Sequence, residues 1–158
     1  MISLRRLLQV GLNKFLGVFD LRIENRCFLN CLEPLLYRII QEAPEFFFIQ
    51  IGAYDGVSFD PIHSFVTNNH RKVKGIVLEP MKDAFKKLTF NYRKYPSITK
   101  INAAIHNTEE KMTLYRVDPA SQNRLPTWIQ GISSFNKNHH MLSNTPKECI
   151  IEEKVVCI

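Results

Sequence analysis

The stretch FFFIQIGAYDG, residues 46–56, constrains this chain more than any other. Phe46 to Ile51 is an apolar run broken only by Gln50, rich in residues that favour β structure. A short run of this kind ending at a glycine turn predicts the buried central strand of a parallel sheet. Gly52 and Gly56 then open the backbone. The loop at the carboxyl end of such a strand is where open α/β sheets bind ligands, because free N–H groups and the next helix start converge there. Residues 52–56 are therefore a candidate cofactor loop.

The flanking sequence supplies the rest of an α/β unit. Before the strand, residues 29–43 predict a helix with Leu32, Leu35, Leu36, Ile39 and Ile40 on one stripe, Pro34 in its first turn and Pro44 beyond its end. After the loop, Asp60 followed by Pro61 predicts a helix start, with Ile62, Phe65 and Val66 on the buried side and His63 packed rather than ligating. Lys74 to Glu79 predicts a second strand that ends in a carboxylate. Met81, Ala84, Phe85, Leu88 and Tyr92 then keep helical spacing to about Lys94, and Pro96 breaks the pattern before a third strand, Ser97 to Ile105. Strand, helix, strand, helix, strand is the order of a right-handed parallel α/β unit. Beyond it, Lys111 to Val117 alternates like a hairpin strand, Asp118 to Asn136 reads as a long loop, and Glu148 to Ile158 is strand-like again. The division expected is a helical extension over residues 1–43 and a sheet domain over residues 44–158.

Charge and cysteines narrow the function classes. The formal net charge is +6, and Lys82, Lys86, Lys87, Arg93 and Lys94 gather on one predicted helix. No aromatic or glycine pattern of a nucleic-acid module accompanies them, so they read as a solvated face and nucleic acid is not an expected partner. Cys27, Cys31, Cys149 and Cys157 match neither a paired zinc motif nor a secreted disulfide framework, so reduced thiols are expected; no third ligand has a defined spacing to His139 and His140, so no metal is expected, and the N-terminus favours a cytoplasmic location. In the N-terminal stretch, Asn13 and Lys14 interrupt the apolar residues and no signal-cleavage pattern follows. Leu4, Leu7, Leu8, Leu12, Phe15 and Leu16 form a helical stripe that either packs on the fold, the favoured reading, or lies on a membrane surface.

Glu79 stands 79 − 52 = 27 positions after Gly52, at the end of the neighbouring strand. A carboxylate there can accept both hydroxyl hydrogens of an adenosine ribose, or it can simply precede a helix whose positive end favours it. The dinucleotide fingerprint needs a second glycine two residues after the first, and Tyr54 occupies that position. Asp55 would also repel a pyrophosphate, which disfavours a nicotinamide-dependent oxidoreductase. A phosphate-free cofactor with a cationic centre, S-adenosylmethionine, suits the loop better.

IQIGAYDG, GIVLEP with MKDAFKKL behind it, INAAIHNTEEKMTLY and GISSF resemble, in order, blocks of the FkbM-like S-adenosylmethionine-dependent methyltransferases. The resemblance implies an α/β Rossmann-like methyltransferase fold, a parallel three-layer sheet with N-terminal helices. It places Gly52, Ala53, Tyr54, Asp55 and Gly56 beside the methionine part of S-adenosylmethionine, Glu79 on the ribose, and Ala103, Ala104 and Ile105 beside the adenine. It implies O-methyl transfer to a hydroxyl of a small molecule or carbohydrate. Two positions depart from the family pattern: Tyr54 stands where Asn is usual, and Gln50 where Asp is frequent. The family's later D-x-E-G-type block has no counterpart, so the expected fold is incomplete at its C-terminus. The alternative is a truncated, non-catalytic cofactor-binding or pairing fragment. His139 and His140 are the weak candidates for a base, and Trp128 and Phe135 either cover an acceptor or pack their own loop.

Overall fold

The computed structural model describes residues 32–139, 142 and 145–158. The N-terminal stripe, Cys27, Cys31 and His140 lie outside the described residues. Helix α1 spans Leu32–Glu42, with Leu36 and Ile40 buried one turn apart and Pro34 in the first turn, where its missing N–H costs nothing. Strand β1 (Phe46–Ile51) follows, then helix α2 (His63–Asn68), strand β2 (Val73–Leu78), helix α3 (Lys82–Asn91) and strand β3 (Ile98–Ile101). The three strands form a parallel sheet in the order β1-β2-β3, registered Phe46↔Val73 through Ile51↔Leu78 and Gly75↔Ile98 through Leu78↔Ile101. The helix start expected at Asp60-Pro61 falls two residues later: α2 begins at His63 after Ile62, with no side-chain cap, and the Asp60 Oδ1 instead accepts the Ile62 N–H at 2.9 Å in the turn before it.

A second, antiparallel sheet has the order β5-β4-β6. Strand β4 (Lys111–Val117) pairs along its length with β6 (Ile150–Val156), and the two-residue β5 (Ser133–Ser134) joins the other edge. The expected long loop between β4 and β5 contains two 3-10 helices, Pro119–Arg124 and Thr127–Gly131. A parallel bridge between Ala104 and Cys157 ties the two sheets, with the Ala104 N–H donating to the Val156 carbonyl at 2.9 Å.

The main core lies on one face of the parallel sheet. Leu36 and Ile40 from α1, Phe65 and Val66 from α2, Leu88 from α3 and Tyr92 just beyond its end pack there against Val73, Val77, Ile98, Phe46 and Phe48. Two expectations need correcting. Strand β1 is an edge strand, and its odd positions are bare: Phe47, Ile49 and Ile51 are 60 %, 62 % and 64 % exposed. Among the described residues the helices of the main core lie on the Phe46 and Phe48 side, giving two layers where three were expected. A continuous apolar run reports high burial propensity, and whether both faces are covered depends on elements far away in sequence. The third strand also ends early, at Ile101 rather than Ile105, because the Asn102 amide turns to the neighbouring strand end and donates to the Glu79 and Pro80 carbonyls at 2.7 and 3.1 Å.

Both loop glycines have φ of +72° but differ in surroundings. A Cβ at Gly52 would meet nothing within 4 Å, whereas one at Gly56 would lie 2.5 Å from Leu88 and Tyr92 side-chain carbons. Gly52→Ala is expected to lose about 1 kcal/mol from backbone strain alone, and Gly56→Ala roughly 2–4 kcal/mol from strain plus overpacking. Urea denaturation of the two variants measures the difference.

Candidate functional site

The loop after β1 is folded back on the end of β2. The Gly52 and Ala53 N–H groups both donate to the Leu78 carbonyl, at 3.0 and 2.9 Å. Tyr54 takes a left-handed conformation, φ +50°, which turns its N–H onto Glu79 Oε2 at 2.8 Å. Asp55 shapes the next turn: Oδ1 accepts the Val57 and Ser58 N–H groups at 3.0 and 2.7 Å, and Oδ2 accepts the Ser58 hydroxyl at 2.7 Å. The Asn91 amide on α3 donates to the Asp55 carbonyl at 2.8 Å, anchoring the loop from behind. Phe59 follows with φ +60°, a conformation that is strained for a bulky residue.

Glu79 is only 2 % exposed. Its second oxygen, Oε1, accepts the Met81 N–H at 2.8 Å, so one carboxylate joins the glycine loop to the entrance of α3. Burial pushes the Glu79 carboxyl above its ordinary value, and the Met81 and Tyr54 N–H groups and the Arg116 charge oppose that rise. Arg116, on β4, is also buried. It reaches Asp83 Oδ1 and Oδ2 at 2.5 and 3.0 Å and Glu153 Oε2 at 3.0 Å. Burial acts against the guanidinium charge, but the hydrogen bonds to Asp83 and Glu153 outweigh it and hold its pKa above the ordinary value. The Arg116 hydrogen bond holds Asp83 below the usual carboxylate range.

A cavity of about 210 Å³ opens beside the loop, bounded by Gly52 to Tyr54, by Ser58 to Asp60, by Gln50 and by Trp128 with Gly131 and Ile132. It is smaller than the roughly 300–1,000 Å³ common for small-molecule sites. Of the residues expected at the cofactor, Gly52, Ala53 and Tyr54 line it. Asp55 is turned to its own loop, and Gly56 is buried against Leu88 and Tyr92. Glu79, Ala103, Ala104 and Ile105 are outside the described lining; Ala103 and Ala104 are buried and Ile105 is exposed. Ala104 shares a small core cluster with Met81, Tyr54 and Phe135, which brings it to the same corner as the Glu79 clamp. His139 lies in a turn, its N–H donating to the Asn136 carbonyl at 3.1 Å. The neighbouring Lys137 and Asn138 line a separate cavity of about 460 Å³ with Tyr115 and Glu152.

Sequence reasoning missed Asn102, Arg116 and the cavity role of Phe59. The Asn102 signal was a polar residue interrupting an apolar strand, whereas Arg116 gave none, since an arginine in an alternating strand reads as a solvent-facing position. Among the described residues no group of three or more His, Cys, Asp or Glu side chains is placed to hold a metal ion, Cys149 and Cys157 are free thiols, and no helix is long and apolar enough to cross a membrane. The family model described as the methyltransferase FkbM domain matches residues 50–155. No curated protein matches the chain.

Arg116→Ala is expected to cost about 3 kcal/mol, short of the upper end for a broken buried pair because Asp83 remains 40 % exposed and water screens it. Lys74→Ala, which removes an exposed pair with Glu45, should cost under about 1 kcal/mol. The native state keeps the Glu79 proton to higher pH than the unfolded chain, whose carboxyl ionises near 4.5. Glu79 therefore favours folding most below that pH and loses its contribution as pH rises through the window above it. Thermal melts should show the wild type losing ground to Glu79→Gln as pH rises from 4.5.

Proposed function

The chain belongs to the FkbM methyltransferase domain family, and from that premise we propose that it binds S-adenosylmethionine and transfers its methyl group to a hydroxyl of a small molecule or carbohydrate. The observation that carries this reading is the Glu79 clamp. Two backbone N–H bonds occupy about half of the carboxylate's roughly four acceptor sites, which leaves two for a ribose diol. Gly52, whose Cβ position is empty, lets a ligand approach the backbone closely. The described cavity lining contains no Lys, Arg or His, which suits a cationic group. When bound, S-adenosylmethionine supplies a methyl group on a positively charged sulfur. The chain's own contribution is to grip the adenosine and to hold an acceptor hydroxyl in line with that methyl. For the released proton, Asp60, which lines the cavity, is a candidate base beside the His139 expected from the sequence.

The fold that goes with this reading is Rossmann-like. Its support is the parallel β1-β2-β3 order, with the glycine loop and the acid at adjacent strand ends. The free thiols at Cys149 and Cys157 fit a reducing, cytoplasmic location. A second reading, a non-catalytic cofactor-binding or pairing module, is favoured by the bare row of Phe47, Ile49 and Ile51 on the edge strand.

Calorimetric titration with S-adenosylhomocysteine separates these possibilities. Saturable binding is expected, weakened about tenfold or more in folded Glu79→Ala because charge-assisted hydrogen bonds to the ribose are lost. A folded wild type that gives no binding heat contradicts the cofactor assignment. Binding with no methylation of any hydroxyl acceptor favours the second reading.

A further inference from the structure

Helix α3 carries a surface whose charges have no partners. Lys82, Lys86 and Phe90 recur at i, i+4 and i+8, with Lys87 one step round the helix and Arg93 and Lys94 just past its end. All six are exposed. Among the described residues none of the four lysine side chains makes an ion pair or a hydrogen bond. The acid of this segment, Asp83, is taken by Arg116 from β4. A second basic pair joins them in space: the His70 and Tyr95 rings lie 5.7 Å apart, which sets the exposed Arg71 and Lys72 beside the Arg93 and Lys94 turn. A face kept for solubility alone mixes both signs, and like charges at i, i+4 repel one another. The fold bears that repulsion, and an anionic partner relieves it.

Phe90 decides which anion. Its ring is 61 % exposed among the lysines and belongs to no core cluster. The Arg93 guanidinium covers one face of it, 3.7 Å from the ring centroid, and donates to the Phe90 carbonyl at 2.6 Å. A nucleobase stacks on an open aromatic face, and this one is taken. The headgroup layer of a bilayer makes no such demand: an aromatic side chain flanked by cations enters it while the cations meet the lipids' negative charge. We propose that this face of α3 is a docking surface for an anionic phospholipid bilayer. Phe90 enters the headgroup layer, and Lys82, Lys86, Lys87 and Lys94 complement its charge. The leaflet that carries such lipid is the cytoplasmic one, which agrees with the location proposed above. The assignment is independent of the methyltransferase reading.

Co-sedimentation of the full chain with lipid vesicles tests it. The chain is expected to pellet with vesicles of roughly three parts phosphatidylcholine to one part phosphatidylserine, and to stay in solution with phosphatidylcholine alone. Salt at about 1 M should release it, because the Debye length falls to about 3 Å. Lys86→Glu combined with Lys87→Glu should weaken the partition about thirtyfold or more, roughly a factor of five for each lysine taken from an anionic surface. Lys86→Gln with Lys87→Gln, which adds no negative charge, should move it the same way by less. Phe90→Ala should weaken it about fivefold through the lost apolar insertion. Lys111→Glu with Lys147→Glu makes the same charge change on β4 and on the 3-10 helix before β6, and should leave most of the binding. Any of five results overturns the assignment: no pelleting with the anionic vesicles, equal pelleting with the neutral ones, full retention in the Lys86 and Lys87 variants or in Phe90→Ala, an equal loss in the Lys111 and Lys147 control, or tighter binding to a single-stranded or duplex oligonucleotide than to the vesicles at matched phosphate.

Discussion

One buried carboxylate organises the functional end of this molecule. Glu79 sits where β2 ends, and its two oxygens accept N–H groups from Tyr54 in the glycine loop and from Met81 at the entrance of α3. Without that acid, two backbone donors in a water-poor corner would lose their partners, and the loop would lose the side-chain tie that Glu79 gives it to the neighbouring strand end. Burial raises the energy of the charged form, and the two N–H groups and Arg116 partly offset that cost. At the carboxyl end of a parallel strand, that one acid fixes both the glycine loop and the start of the helix that follows.

The second sheet is tied to the same corner. Arg116 on β4 bonds to Asp83 at the start of α3 and to Glu153 on β6, and the Lys82 N–H reaches Glu153 as well. The antiparallel sheet is therefore clamped to the first turn of the helix that Glu79 introduces. The β4–β6 pair and the Ala104–Cys157 bridge then bring Phe135 and Ala104 against Tyr54 and Met81. The segment between β4 and β5 supplies Trp128 and Ile132 to the cavity wall. The connection between β4 and β5 thus closes one side of a cavity whose other wall is the end of β1 and the loop after it.

Much of this was legible in the residues alone, and the gaps have physical causes. The bounds of β1 and β4 follow from their local patterns, and Gly52 and Glu79 stand out because a glycine turn and an acid at adjacent strand ends are rarely needed for packing alone. The exposure of Phe47, Ile49 and Ile51 was not legible, since an apolar run is the same whether its second face is covered or bare. The end of β3 was missed because Asn102 leaves the sheet to serve two carbonyls on another strand. Arg116 was hidden because its partners, Asp83 and Glu153, lie 33 and 37 residues away, and no local rule pairs them. Phe59 and Trp128 belong to loops, where the pattern of apolar residues carries no period to read.

The central claim is that the Glu79 carboxylate and the Gly52 turn together hold an adenosine. A crystal structure of the chain soaked with S-adenosylhomocysteine tests it most directly. The account predicts both ribose hydroxyls within hydrogen-bonding distance of Glu79 and the amino-acid end of the ligand against Gly52 and Ala53. A ligand ordered at any other place on the sheet, with Glu79 still bonded only to Tyr54 and Met81, would contradict it.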